Sequence, residues 1–365
     1  VHIGGLGWNG MLTFGMLYWL IPRIFQTKLH SEKSANAHFW IATLGILLYA
    51  IPLYWAGFVQ GMMWQDFAPD GTLVNKDFLE TVTQLRPYYM MRAAGGALFI
   101  VGAIMMTYNL CRTMLNGKLL ANEAAEAPAL VITSTGNEKE YWHRVIERKP
   151  IRMLVFSLVV ILIGGAIEII PTFLISSNVP TISSVKPYTP LELEGRDLYL
   201  REGCYNCHSQ MVRPLRFETA RYGEYSKAGE FIYDHPFQWG SKRIGPDLHR
   251  EGVGNKQYRP DSWHYLHMLD PQSISPGSIM PTYEWMIDDD LDVSLTVRKI
   301  AAMRTLGVPY EEGFEKEVPA NMNKQALKIA ESILKDLDKD NLSLENIKRL
   351  SKKEIIAMIA YLQRL

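Results

Sequence analysis

Four stretches of the chain run almost without charge, and they set its architecture. No Asp, Glu, Lys or Arg occurs from Val1 to Pro22, from Ser34 to Gln65 or from Ala93 to Cys111, and Met153 to Leu174 carries only Glu168. Crossing the ~30 Å hydrocarbon layer of a bilayer takes about 20 mostly apolar residues, so each run predicts a membrane-spanning helix. After residue 185 the charge becomes dense and a soluble domain begins. Its pattern predicts helices from Leu191 to Glu202, near Asp288 to Thr305, from Asn323 to Leu337 and from Ser351 to Leu365. In the last of these Ser351 and Glu354 have the spacing of a capping box, and Ile355, Ile356, Ile359, Ala360 and Leu362 follow a helical period. Strand signals are weak, so the expected fold class is all-α.

The basic residues orient the spans. Arg23, Lys28 and Lys33 join the first two; Arg112 and Lys118 follow the third; Arg144, Arg148, Lys149 and Arg152 precede the fourth. The loop between spans two and three carries Asp66, Asp70, Asp77 and Glu80 against Lys76 and Arg86. Short cytoplasmic loops are enriched in Lys and Arg, so the basic clusters all fall inside, and the segment after Leu174 falls outside, on the periplasmic face. Trp19, Trp40 and Trp64 lie near span ends, where interfacial aromatics belong. Asn116 to Glu140 has no sustained apolar period and reads as a cytoplasmic linker with little fixed structure. The division expected is three spans over 1–115, a linker over 116–147, an anchor helix over 148–177 and a soluble domain over 178–365.

Composition narrows the function classes. With 38 basic against 38 acidic residues among 365, nothing in the charge favours nucleic acid as a partner. The chain starts at Val1, inside an apolar run and without an initiator Met, as the downstream part of a longer polypeptide would. Three cysteines are too few for a disulfide framework. Cys111 ends an apolar run and is expected to be a buried, inert thiol.

The other two lie in Cys204-Tyr-Asn-Cys207-His208, the spacing of a covalent c-type haem attachment site. On a helical turn residues three and four apart share a face, so both thiols reach the two vinyl groups on one edge of a porphyrin, and His208 offers an imidazole to the iron. A zinc site would need further Cys or His at matching spacing, and a redox pair would sit in a βαβ context; the sequence has neither. The opposite axial position calls for Met or His. The candidates are Met211, Met268, Met280, Met286, His235, His249, His264 and His267. Met211 is too close to His208 to cross the ring, and Met268 lies in a predicted helix where packing accounts for it. Met280 sits in Ser-Pro-Gly-Ser-Ile-Met-Pro, a loop stiffened by Pro276 and Pro281, and is the choice. Gly195 and Tyr199, one turn apart, are expected to let the C-terminal helix approach closely, with Tyr361 opposite.

These residues match more than a generic haem domain. Gly195-Arg-Asp-Leu-Tyr-Leu-Arg-Glu-Gly-Cys204-Tyr-Asn-Cys-His-Ser-Gln-Met-Val-Arg-Pro, with Arg221-Tyr-Gly-Glu-Tyr-Ser, Asp234-His-Pro-Phe-Gln-Trp-Gly-Ser-Lys and Gly245-Pro-Asp-Leu, closely resembles the mono-haem cytochrome c subunit of cbb-type cytochrome c oxidases, the C family of haem-copper oxidases. Val1-His2-Ile-Gly-Gly-Leu-Gly-Trp-Asn-Gly-Met-Leu and Leu17-Tyr-Trp-Leu-Ile-Pro-Arg resemble the tenth helix of the catalytic subunit of the same oxidases. In that family a His-x-His pair there binds two haems, the first His on the high-spin haem and the second on the low-spin haem b. Only the second position is present, as His2.

The resemblance implies a fragment of a transmembrane bundle plus an anchored, class I-like periplasmic cytochrome c domain. It implies covalent haem c on Cys204, Cys207, His208 and Met280, and low-spin haem b on His2. High-spin haem, copper and the catalytic residues belong to helices that this sequence does not contain. The implied partners are other oxidase subunits, including a further cytochrome c subunit, a soluble or membrane cytochrome c donor, and the lipid bilayer; the implied activity is respiratory electron transfer to an oxygen-reducing, proton-translocating site. A nitric oxide reductase-like complex, or a stand-alone membrane-tethered cytochrome c, are the competing readings.

Overall fold

The computed structural model describes residues 3–119, 142–174, 181–240, 242–337 and 342–365. It is helical, with no strand among the described residues beyond two isolated bridges, Phe67 with Leu73 and Asp290 with Lys353. Most of the expected linker, and the joint between anchor and soluble domain, lie outside those residues.

The first apolar run is helical as a π-helical stretch, Ile3–Gly10, that continues into α1 (Met11–Ile24). With 14 residues α1 alone falls short of the ~20 that span a bilayer, so this expected span depends on the π-helical stretch for its length. The second and third runs are α2 (Glu32–Gln65) and α3 (Phe78–Leu115), both longer than the charge-free stretches that predict them. Their polar first turns are recruited by caps: Ser31 accepts a hydrogen bond from the Ser34 N–H (3.1 Å) and Asp77 from the Leu79 N–H (3.0 Å). A short helix, α4 (Trp142–Glu147), stands at the end of the expected linker, before α5 (Pro150–Leu174). Helices α2, α3 and most of α5 are long and apolar enough to cross a membrane, and the chain is a membrane protein.

Two glycines let α2 and α3 touch backbone to backbone. A Cβ at Gly45 would lie 2.8 Å from the Gly95 carbonyl oxygen, and one at Gly95 would lie 2.7 Å from the Tyr49 nitrogen. Close approach through small residues is how membrane helices gain packing without a hydrophobic driving force between them. At the far end Asn109 holds Ser31 through both backbone groups (2.9 and 2.8 Å), and Thr113 accepts from the His30 N–H (3.0 Å). The α3 face turned to α2 thus carries Gly95, Gly102, Met106, Asn109 and Thr113. Cys111 is exposed on the other side, which corrects the expectation of a buried thiol. No described side chain of α5 is buried, so its apolar surface is left for lipid or other chains to cover.

The C-terminal domain contains α6 (Pro190–Arg201), α7 (Arg216–Tyr222), α8 (Asp261–Leu269), α9 (Pro271–Ile274), α10 (Trp285–Asp288), α11 (Thr296–Thr305), α12 (Val318–Leu337), α13 (Leu344–Leu350) and α14 (Glu354–Leu362). Helix α6 starts on a capping box between Thr189 and Glu192, with Pro190 in the first turn. All of α14 is buried, and it crosses α6 at Gly195, where a Cβ would overlap the Ala357 carbonyl. One turn on, the Tyr199 and Tyr361 rings meet edge to face at 5.4 Å, as the sequence led us to expect. Helix α12 lays Val318, Met322, Ala326, Ile329, Ala330 and Ile333 on this core at helical spacing.

Two expected elements change. The predicted capping box on the last helix does not form: Ser351 closes α13, its hydroxyl donating to the Lys348 carbonyl (3.0 Å), while Glu354 binds Arg201 across the domain. The helix expected near Asp288 to Thr305 is shortened to α11, beginning only at Thr296, because Asp288 ends α10 and Asp292 turns back onto the Ser294 N–H (2.9 Å), a local bond that competes with helix formation.

Candidate haem site

The haem motif lies at the C-terminal end of α6. Gly203, at φ +70°, ends that helix in the left-handed conformation that glycine adopts without strain. A single 3-10 turn, Cys204–Asn206, follows, and the Cys204 carbonyl accepts from the N–H groups of Cys207 (3.1 Å) and His208 (2.9 Å). This turn places both thiols and the imidazole along one wall of a cavity of about 470 Å³, within the ~300–1,000 Å³ usual for cofactor pockets. Met280 lines the same cavity. So do Tyr199, Ile244, Gly245, Pro246, Leu248, Tyr283, Met358 and Leu362, a mostly apolar lining drawn from α6, α14 and loops.

Four of the eight sixth-ligand candidates line the cavity: Met280, Met268, His264 and His267. Met286 is fully buried in the helical core. Met211, His235 and His249 are not among the lining residues. Met268, His264 and His267 belong to α8, with Met268 packed in the core cluster and His267 stacked on Trp263 at 4.4 Å. Met280 projects from a loop whose Ser278 hydroxyl accepts the Met280 N–H (3.2 Å). His2 lies outside the described residues.

Several features of the chain fit a haem. His208 Nδ1 donates to the Pro246 carbonyl (2.8 Å), which fixes the tautomer that leaves Nε2 free for a metal. Burial holds His208 below the ordinary imidazole pKa, against the Pro246 bond and the Asp247 charge, so the ring is neutral at pH 7, as a ligand must be. Gly245 lies flat on that ring: a Cβ there would come 2.7 Å from both ring nitrogens. Two buried imidazole nitrogens lining the cavity, His264 Nε2 and His267 Nδ1, have no protein partner, an imbalance that a polar cofactor edge would relieve.

The thiol chemistry argues against the alternatives. Burial, with Glu202 second, pushes Cys204 up to about 12, the reverse of an activated redox thiolate. Among the described residues no group of three or more His, Cys, Asp and Glu is placed to hold a metal ion.

Behind His208 a charged network ties the motif to the loop that carries Pro246. Asp247 accepts from Ser209 Oγ (2.6 Å), the Met211 N–H (2.8 Å) and Arg243 (3.1 Å). Arg243 also donates to Ser209 Oγ (2.7 Å), to the Met211 carbonyl (2.8 Å) and to Glu218. Glu218 and Asp247 are wholly buried side chains, and Arg243 is nearly so; burying such charges is tolerable only with every group satisfied. Spacing gives no signal for Pro246, Arg243 or Glu218, which lie far from the motif in sequence. Gly245-Pro-Asp-Leu appears in the sequence reading only as part of the family pattern.

Comparison with known proteins adds to this geometry. The family described as cytochrome c oxidase, mono-heme subunit, matches residues 143–365. The family described as cytochrome c and quinol oxidase polypeptide I matches residues 1–98. Cytochrome c oxidase subunit 1 of Rhodobacter capsulatus is 45% identical over 130 residues, 35% of this chain and 24% of that protein. A cbb3-type cytochrome c oxidase subunit CcoN1 of Stutzerimonas stutzeri is 40% identical over 126 residues, 34% of this chain and 26% of that protein. The chain thus spans about a quarter of the length of these curated relatives.

Proposed function

The chain belongs to the family of cytochrome c oxidase mono-heme subunits, which covers residues 143–365, and on that premise we propose that it is the electron-entry portion of a cbb-type oxidase, anchored in a bacterial inner membrane. In this reading it would take electrons from a cytochrome donor on the periplasmic face and pass them toward low-spin haem b and an oxygen-reducing site carried elsewhere in the oxidase. The observation that carries it is the convergence of Cys204, Cys207, His208 and Met280 on one apolar cavity.

Each residue has a distinct task. Cys204 and Cys207 would tether the macrocycle as thioethers, which would keep the cofactor in place through redox cycling. His208 presents Nε2 while Pro246 and the Asp247 network hold the ring. Met280 would offer the haem iron a soft thioether, a choice of ligand that raises the reduction potential. The mostly apolar lining around the motif limits its contact with water. When bound, the haem supplies a one-electron iron couple. His2 takes its role as a haem b ligand from family resemblance.

The topology supports the orientation. The acidic loop between α2 and α3 faces the C-terminal domain: Arg216 lies over the Phe67 ring at 4.1 Å, and Gln60, near the end of α2, donates to the Arg243 carbonyl (3.3 Å). The basic loops lie at the opposite ends of those helices.

The test is a pyridine-haemochrome and reduced-minus-oxidised spectrum of the detergent-extracted chain, beside Met280→Ala. The expected result is a covalent c haem with a thioether-to-iron charge-transfer band that the substitution abolishes, and a b-type signal lost in His2→Ala. A chain without covalent haem would refute the reading, and a band that survives Met280→Ala would move the sixth ligand to α8.

A further inference from the structure

The cavity that receives the haem motif is not walled by the C-terminal domain alone. Phe78, Leu79 and Val82, from the first turns of α3 in the other half of the chain, line it together with Met280. The contact with the Met280 loop is close. Gly277, at φ +92°, would place a Cβ 3.1 Å from Thr83 Cγ2 and 3.8 Å from Leu79 Cδ2, so the bend three residues before Met280 rests directly on α3.

One buried cation fastens this arrangement. Arg221, on α7 and 6% exposed, donates to the Lys76 carbonyl (2.8 Å) and the Asn75 carbonyl (2.7 Å). Those carbonyls immediately precede Asp77, whose side chain caps α3. Arg221 thereby sets where α3 begins, and α3 sets where the Gly277 bend can lie. Apolar packing alone would have joined the two halves more cheaply, because a buried guanidinium costs free energy unless its donors are met. A planar fork aimed at two consecutive carbonyls does what apolar contact cannot: it fixes register.

We propose that the sixth-ligand side of the c-haem site is a structure shared between the two halves of the chain, with Arg221 as a positioning residue that seats α3 beneath the Gly277 bend and so holds Met280 in the cavity. This rests on the reading of Met280 as the axial ligand, and it extends that reading by making the ligation depend on residues of the membrane half.

The test uses the full chain in detergent with Arg221→Gln, Arg221→Lys and Leu79→Ala. Three quantities are read: covalent haem per chain, the thioether-to-iron band, and carbon monoxide binding to the reduced c haem, which an intact thioether bond prevents. Arg221→Gln is expected to keep its covalent haem, lose part or all of the band and bind carbon monoxide. Arg221→Lys, which keeps the charge but lacks the planar fork that fits two consecutive carbonyls, should lie between it and the parent. Leu79→Ala, a change in the membrane half that leaves the C-terminal domain untouched, should shift the same way, and it decides the matter if Arg221→Gln does not accumulate. A parent that shows the band, with variants that match it in band and in inertness to carbon monoxide, overturns this inference alone. A parent with covalent haem but no band overturns the Met280 reading and this inference with it.

Discussion

Gly195→Ala places a methyl group where α6 and α14 have no room for it. The new Cβ would overlap the Ala357 carbonyl oxygen, stand 2.6 Å from its carbon and 2.8 Å from Tyr361 Cβ. Ordinary contact lies at ~3.5–4 Å, so relieving the overlap with the carbonyl oxygen takes a local shift of roughly 1.5 Å. The atoms struck are mostly backbone, which cannot swing aside as a side-chain tip would. Overpacking of a close-packed core costs ~1–3 kcal/mol, and the upper end applies because every residue of α14 is buried. Alanine's better helix propensity returns about 1 kcal/mol. The net expectation is a loss of about 2 kcal/mol, a large part of the ~5–15 kcal/mol that stabilises a domain. Guanidinium unfolding of the solubilised chain, followed by haem absorbance, should show a lower midpoint with an unchanged slope. A midpoint equal to or above that of the parent would refute the account of this helix crossing.

Three further outcomes follow from the structure. Arg243→Met removes the buried cation between Glu218 and Asp247, leaving Glu218 with the half-exposed Arg213 and Asp247 with neutral donors alone, and should destabilise by ~3–5 kcal/mol, visible as poor covalent-haem yield and a lowered unfolding midpoint; wild-type yield and midpoint would show the network to be dispensable. Gly45→Leu should separate α2 from α3 and lower the aggregation temperature in detergent, and an unchanged temperature would contradict the backbone contact with Gly95. His249, stacked on Phe231 at 4.6 Å, is pushed down to about 3 by burial and by Arg250; although Glu230 approaches it at 3.4 Å, that carboxylate is already held by Arg250. Below its ordinary value of 6.5 the unfolded chain takes up a proton that the folded one refuses until about 3, so this contribution is intact at neutral pH and is lost as the pH falls through that window. His249→Phe should flatten the acid limb of the stability curve, and an unchanged limb would refute the assignment.

The legible parts of this protein share one physical property: each is specified by neighbours in sequence. A run of apolar residues longer than a bilayer is thick needs no partner to be helical, because lipid leaves the backbone no other way to satisfy its hydrogen bonds. Cys204, Cys207 and His208 fall within one turn, so their convergence on one cavity is local geometry. Where two local rules compete, the reading falters. Ser351 and Glu354 have the spacing of a capping box, yet Ser351 is already spent in closing α13 and Glu354 is drawn away by Arg201. Cys111 ends an apolar run as a core residue would, but in a membrane helix the outward face is apolar too, so hydrophobicity does not tell inside from outside.

By itself the sequence determined the all-α character, the apolar spans, the Cys-x-x-Cys-His turn and the crossing of Gly195 beneath Tyr361. Only the tertiary structure decided which carbonyl orients His208, which charges are buried behind it, and which four of the eight candidate side chains line the cavity. It alone also brought α3 of the membrane half against the loop that carries Met280. Those relations join residues tens to more than a hundred positions apart. No periodicity or spacing encodes them, because they arise from burying one element against another and from the need to satisfy every polar group that the burial encloses.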